Sequence, residues 1–177
     1  YASADLMGMA SVTAGRQALD YGSGALISSN QWAASRTTWD GMTFGLNLDM
    51  ADVTFGYASQ SGASFDSTGA RNMWLNAAKG DGDWTANLLY TTTTVGSGDA
   101  MTAMGLDVTY NMMGGDLALD ASYNTAKGWT GEDDEDMNSI GATYTVNENM
   151  SINASRTAYG DGGFDMAGTN MAGGWLG

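Results

Sequence analysis

The sequence predicts an all-β chain, an antiparallel up-and-down β-barrel of about nine or ten strands, and three observations carry that expectation. Apolar and polar residues alternate with period 2 in segment after segment. Glycine recurs throughout, 26 times in 177 residues, with no proline, and each glycine would cost a helix roughly 1 kcal/mol. The connections between alternating segments are short and long in turn.

Strands are expected near 8–19, 36–49, 52–60, 69–79, 83–93, 101–112, 116–125, 137–147, 149–158 and 165–175. In the second, Met42, Phe44, Leu46 and Leu48 alternate with Thr43, Gly45 and Asn47. Val53, Phe55 and Tyr57 mark the third, and Trp84, Ala86, Leu88 and Tyr90 the fifth. In the sixth, Met104, Leu106, Val108, Tyr110 and Met112 alternate with Gly105, Asp107, Thr109 and Asn111. Leu117, Leu119, Ala121 and Tyr123, then Ile140, Ala142, Tyr144 and Val146, repeat the pattern. Such alternation gives each strand one apolar and one polar face. Short turns fall near Ala51-Asp52, Gly80-Asp81-Gly82, Gly114-Gly115 and Asn147-Glu148-Asn149, and long loops at 20–35, 61–68, 94–100, 126–136 and 159–164. Residues 1–177 therefore read as one β-barrel domain, or as part of a larger barrel.

The polarity of the two faces decides where such a barrel belongs. The face opposite the apolar one is Gly, Ala, Thr, Ser, Asn and Asp, with almost no Lys or Glu, which suits a lumen better than a soluble exterior. Charged residues make up 15% of the chain, against about 25% in soluble domains. Tyr57, Tyr90 and Tyr123 lie towards the long loops, and Trp84, Tyr110 and Tyr144 nearer the short turns, as two belts at lipid headgroups would. Met42, Met104, Met112 and Met150 read as soft apolar surface. Short turns on one rim and long loops on the other are how outer-membrane barrels are built. The expected location is the bacterial outer membrane, among its lipid and lipopolysaccharide. Tyr1 opens directly on polar sequence, as in a processed chain or an excised fragment.

Several function classes fall away. A net charge of −14 with six basic residues excludes nucleic acid, whose phosphates demand Lys and Arg. With no His and no Cys, the common triads, cysteine nucleophiles and zinc sites are out of reach, so no enzyme is expected, and no cofactor. The acidic run Glu132-Asp133-Asp134-Glu135-Asp136 reads as a solvated loop tip. Its alternative is a loop-bound Ca²⁺ or Mg²⁺ on Asp133, Asp134 and Asp136, without EF-hand spacing.

One segment is similar to a known family. Gly15-Arg16-Gln17-Ala18-Leu19-Asp20-Tyr21-Gly22, then Leu26-Ile27, Trp32 and Arg36-Thr37-Thr38-Trp39-Asp40-Gly41, resembles the alginate-export family of porin-like outer-membrane barrels. Members commonly show Gly-Arg-Gln-x-Leu-x-Tyr-Gly, a Leu-Ile pair, a Trp and then Arg-x-Phe-Asp-Gly. The resemblance implies a pore with inward Arg and carboxylate groups near a constriction, which here would be Arg16, Gln17, Arg36 and Asp40. Alternatively, Arg16, Arg36 and Asp40 form a buried ion pair bracing the 20–35 segment. Family barrels are longer than this chain. Export of polyanionic alginate also asks for a basic lumen, whereas Asp107 and Asp120 stand on the inward face predicted here.

The function expected is a porin-like channel of the alginate-export type, passing small solutes by diffusion. The alternatives are a non-conducting structural barrel that assembles with its own copies or an envelope complex, and a soluble surface adhesin.

Overall fold

The computed structural model describes residues 1–29, 36–60, 70–128, 135–160 and 164. Ten antiparallel strands form one sheet in strict sequence order. They are β1 (Ala2–Leu6), β2 (Ala10–Gln17), β3 (Trp39–Leu48), β4 (Ala51–Gln60), β5 (Ala70–Asp81), β6 (Trp84–Val95), β7 (Met101–Met112), β8 (Leu117–Lys127), β9 (Glu135–Asn147) and β10 (Met150–Tyr159). The only other described element is a single 3₁₀ turn at Met113–Gly115.

Nearly every alternating segment becomes a strand; β5, β6, β8 and β9 run one or two residues beyond the expected bounds at one end, and three further departures have a structural reason. The segment 8–19 holds one strand, the shorter β2, which is the second arm of a hairpin with the unexpected β1, turning at Met7-Gly8. Both turn residues have positive φ, 60° and 72°, and Asp5 Oδ1 accepts the Gly8 N–H at 2.6 Å. Methionine rarely takes that conformation, so the turn carries no sequence signal. The β3–β4 turn falls at Asp49-Met50, two residues earlier than expected, because Leu48 pairs with Ala51. β3 starts at Trp39, not near 36. The expected strand at 165–175 lies outside the described residues.

The connections sort by side. Turns at Met7–Met9, Asp49-Met50, Gly82-Asp83, Met113–Asp116 and Glu148-Asn149 share one rim, and the longer connections leave from the other. Along the turn rim, backbone bonds extend the ladders: Asn47 N–H to Met9 O at 3.0 Å, Asn111 N–H to Asp83 O at 2.6 Å, and Thr145 N–H to Asp116 O at 2.7 Å.

The faces have the parity that the sequence predicts, and the polarity is inverted relative to a soluble sheet. Met104, Leu106 and Val108 on β7 are 45%, 45% and 38% exposed, whereas Ala103 and Gly105 beside them are buried and Asp107 is half-buried. The same holds for Phe44 and Leu46 on β3, Met73 and Leu75 on β5, and Ile140 and Tyr144 on β9. The inner face is knitted instead by cross-strand polar pairs. Thr93 Oγ1 donates to Asn72 Oδ1 at 2.6 Å, Asn76 Nδ2 to Asn87 Oδ1 at 2.9 Å, and Asn153 Nδ2 to Thr143 Oγ1 at 2.8 Å. Ser122 and Ser139 share a hydroxyl bond of 2.8 Å.

The core lies on this inner face, at the loop side. Trp74 is 1% exposed and packs at a tilt against Trp39, ring centroids 5.7 Å apart. Its indole lies over Gly56, where any added Cβ would overlap the ring. Gly56→Val should therefore expel Trp74 and destabilise the fold by roughly 1–3 kcal/mol or more, as overpacking does. The check is a red-shifted tryptophan emission together with a lowered unfolding temperature; unchanged emission would contradict this packing.

Candidate functional site

The site grows out of the chain that follows β2. Residues Ala18–Ser29 do not extend away from the rim but turn inward and lie on the inner face, burying Leu19, Leu26 and Ile27 with Trp39, Trp74, Leu89 and Met137. Local chemistry closes the segment on itself. The Ser29 N–H and hydroxyl donate to the Asp20 carboxylate, both at 2.7 Å, and Ser28 Oγ reaches it at 3.4 Å. The Tyr21 N–H donates to Ile27 O at 3.2 Å and the Gly24 N–H to Tyr21 O at 2.9 Å. Asx-type bonding of this kind gives a loop its backbone partners without a sheet.

Two contacts dock the loop. Trp74 Nε1 donates to the Tyr21 hydroxyl at 3.0 Å. Burial pushes the Tyr21 phenol above its ordinary value, the Trp74 bond opposing this, so the group stays neutral. Gly22 (φ 55°) then lies against Asp107 and Asn87 of the neighbouring strands, with no room for a side chain.

Beyond Gly22 and Ser23, on the turn side, the inner face is open. A cavity of about 520 Å³ is lined there by Asp52, Asn87, Asp107, Thr109, Asp120 and Ser122, among others. Asp120 accepts from Thr109 Oγ1 at 2.8 Å. Asp107 Oδ1 is buried without a hydrogen-bond partner. The inner surface thus has two zones, an apolar one covered by the loop and an acidic, hydroxyl-rich one left open.

The candidate residues divide between the faces. Asp107 and Asp120 lie on the inner face and line the cavity. Gln17 is inward too, accepting from Thr43 Oγ1 at 3.2 Å. Arg16 and Asp40 do not line the interior. They pair across β2 and β3 in register with the outward residues Ala14 and Met42, because residues flanking Gln17 and Trp39 must point the other way. The expected ion pair between them exists, bidentate at 2.9 and 2.7 Å, but its side chains are 70% and 58% exposed. It is not buried, and among the described residues neither side chain bonds to the loop. Arg36 lies exposed in the chain leading to β3, outside this pair.

Of the acidic run, Asp133 and Asp134 lie outside the described residues, and Asp136 faces outward opposite Thr125. Among the described residues no group of three or more carboxylates is placed to hold a metal ion. Sequence reasoning missed Asp52, Asn87 and Tyr21. Asp52 reads in the sequence as part of a turn, and the contacts of Tyr21 and Gly22 join residues too distant in sequence to leave a local signal.

No family model matches the chain, and no curated protein matches it.

Tyr21→Phe removes the acceptor of the Trp74 N–H and leaves a buried donor unsatisfied, a cost of about 1–3 kcal/mol. Thermal unfolding should register that loss, and limited proteolysis within 18–29 should accelerate. A variant as stable and as resistant as the wild type would mean that the loop is not docked through this bond.

Proposed function

We propose that this chain forms a membrane-spanning β-barrel of the bacterial outer membrane, porin-like and of the alginate-export type, through which small solutes diffuse. The observation that carries the reading is the inverted polarity: large apolar side chains exposed on the outward face, and small polar ones on the inner. In water such a face would be costly; in lipid it is the favourable arrangement. On β7 the outward run from Met104 to Met112 covers roughly 20 Å of height, at ~3.4 Å per residue and ~40° of tilt, near the ~25 Å apolar band of such barrels. Trp84 and Tyr110 pair across β6 and β7 near the turns, and Tyr57, Tyr90 and Tyr123 face outward towards the loops.

The substrate class follows from charge. The strand-borne cations Arg16, Arg71, Lys79, Lys127 and Arg156 are in register with outward residues; Lys79 borders the cavity but its ammonium is held by Asp49 O, whereas Asp52, Asp107 and Asp120 line the interior. A pore so lined favours cations over anions, which argues against alginate as cargo. The covered inner face at 18–29 favours a second reading, a barrel that closes and does not conduct.

Spin labels first test the membrane placement: Leu106 should be accessible to oxygen, and Asp107 to a polar quencher. The opposite result would remove the membrane reading. Planar-bilayer recording then separates the two functions. A channel should prefer cations, and Asp107→Asn with Asp120→Asn should lower that preference about two-fold per charge, taking each to act at ~8 Å in a water-like dielectric. Arg16→Ala, which faces away, should leave the reversal potential unchanged. A folded wild type that never conducts leaves the structural barrel.

A further inference from the structure

The outward face carries a charge pattern in addition to its apolar band. Arg16 on β2, Arg71 on β5, Lys127 on β8 and Arg156 on β10 each stand within three residues of the loop-side end of their strand. Between those ends and the turn side, the outward positions of the sheet are apolar or small, and Lys79 is the one basic residue near the turns. Its ammonium donates to Asp49 O at 2.7 Å. The loop side therefore holds four of the five strand-borne cations, all aimed away from the interior.

Among the described residues, one of these cations has a carboxylate partner. On the outward loop side, Asp40 is already engaged by Arg16 at 2.7 Å, and Asp136 is half-buried against Gly160. Arg71 donates to Gly96 O at 3.5 Å. Among the described residues, Arg71, Lys127 and Arg156 form no salt bridge.

We propose that this loop-side row of cations binds the phosphate-bearing headgroups of lipids in the leaflet that surrounds the loop side of the sheet. The proposal rests on the membrane-spanning reading and adds the chemistry and the sidedness of the lipid. A cation just beyond an apolar band and its tyrosines stands at headgroup depth. Arg and Lys there meet phosphate oxygens through charge-assisted hydrogen bonds, and the guanidinium does so bidentately. Placement on β2, β5, β8 and β10 spreads the row across the sheet, as contact with many lipids requires and a single soluble ligand does not.

The test uses the full chain folded into phosphatidylcholine vesicles with and without diphosphoryl lipid A, read as the temperature at which the folded band is lost on a detergent gel. Lipid A should raise that temperature by roughly 5–10 °C, the sum of three surface cations in a chain of this size. The combined variant Arg71→Gln, Lys127→Gln, Arg156→Gln should lose the shift, and Lys79→Gln should keep it. Should the combined variant not fold, the wild-type shift must still collapse in high salt, which screens exposed charge. Equal temperatures in the two vesicles, or a shift reproduced by inorganic phosphate in plain vesicles, overturns the proposal. Failure to insert into either vesicle overturns the membrane reading beneath it.

Discussion

Lateral backbone pairing between consecutive strands is the interaction on which the rest of this structure depends. Every strand from β2 to β9 is paired on both sides with its sequence neighbours, and the register shifts between β9 and β10 at Met150-Ser151. Side-chain packing cannot substitute for these ladders, because most of the large apolar side chains point away from the interior. The hydrogen bonds gain strength where the surrounding dielectric is low, and the outward face is stable where water is absent. Both conditions favour the same surroundings, which is why the fold and the proposed location support each other.

Ladder continuity also explains the composition of the inner face. A sheet with a loop laid on its inner face has little room, so most inward positions are glycine, alanine, hydroxyl and amide side chains. Where a large ring does enter, its neighbour shrinks to accommodate it: Trp74 lies over Gly56. Loop 18–29 then supplies the apolar cover that the strands lack, through Leu19, Leu26 and Ile27. It stops at Gly22 and Ser23, and the space beyond is lined by the acidic residues Asp52, Asp107 and Asp120. Packed and open zones thus follow from how far one loop reaches.

Charge is distributed by the same alternation. A residue's parity on its strand decides which face it serves, and basic residues occupy the outward parity at strand ends while Asp52, Asp107 and Asp120 take the inward one. Arg16 and Asp40 show how strictly this operates. Their bidentate pair is well formed, yet it stands outside because the next pair along the ladder, Gln17 with Trp39, turns inward.

The sequence by itself determined most of the strands, their order around short turns and long loops, and the faces of the alternating residues on β3, β4 and β6 to β9, from Met42 onward, since all of these depend on period-2 alternation and local turn chemistry. It also marked Asp107 and Asp120 as inward. It did not reveal the β1–β2 hairpin, whose turn is built on a left-handed methionine, nor the outward aim of Arg16 and Asp40, because a motif read without its strand register has no parity. Only the tertiary structure decided where 18–29 goes. Tyr21 meets Trp74 and Gly22 meets Asp107 across 53 and 85 residues of chain, and a contact between such distant positions is set by how the sheet curls, which no local pattern encodes.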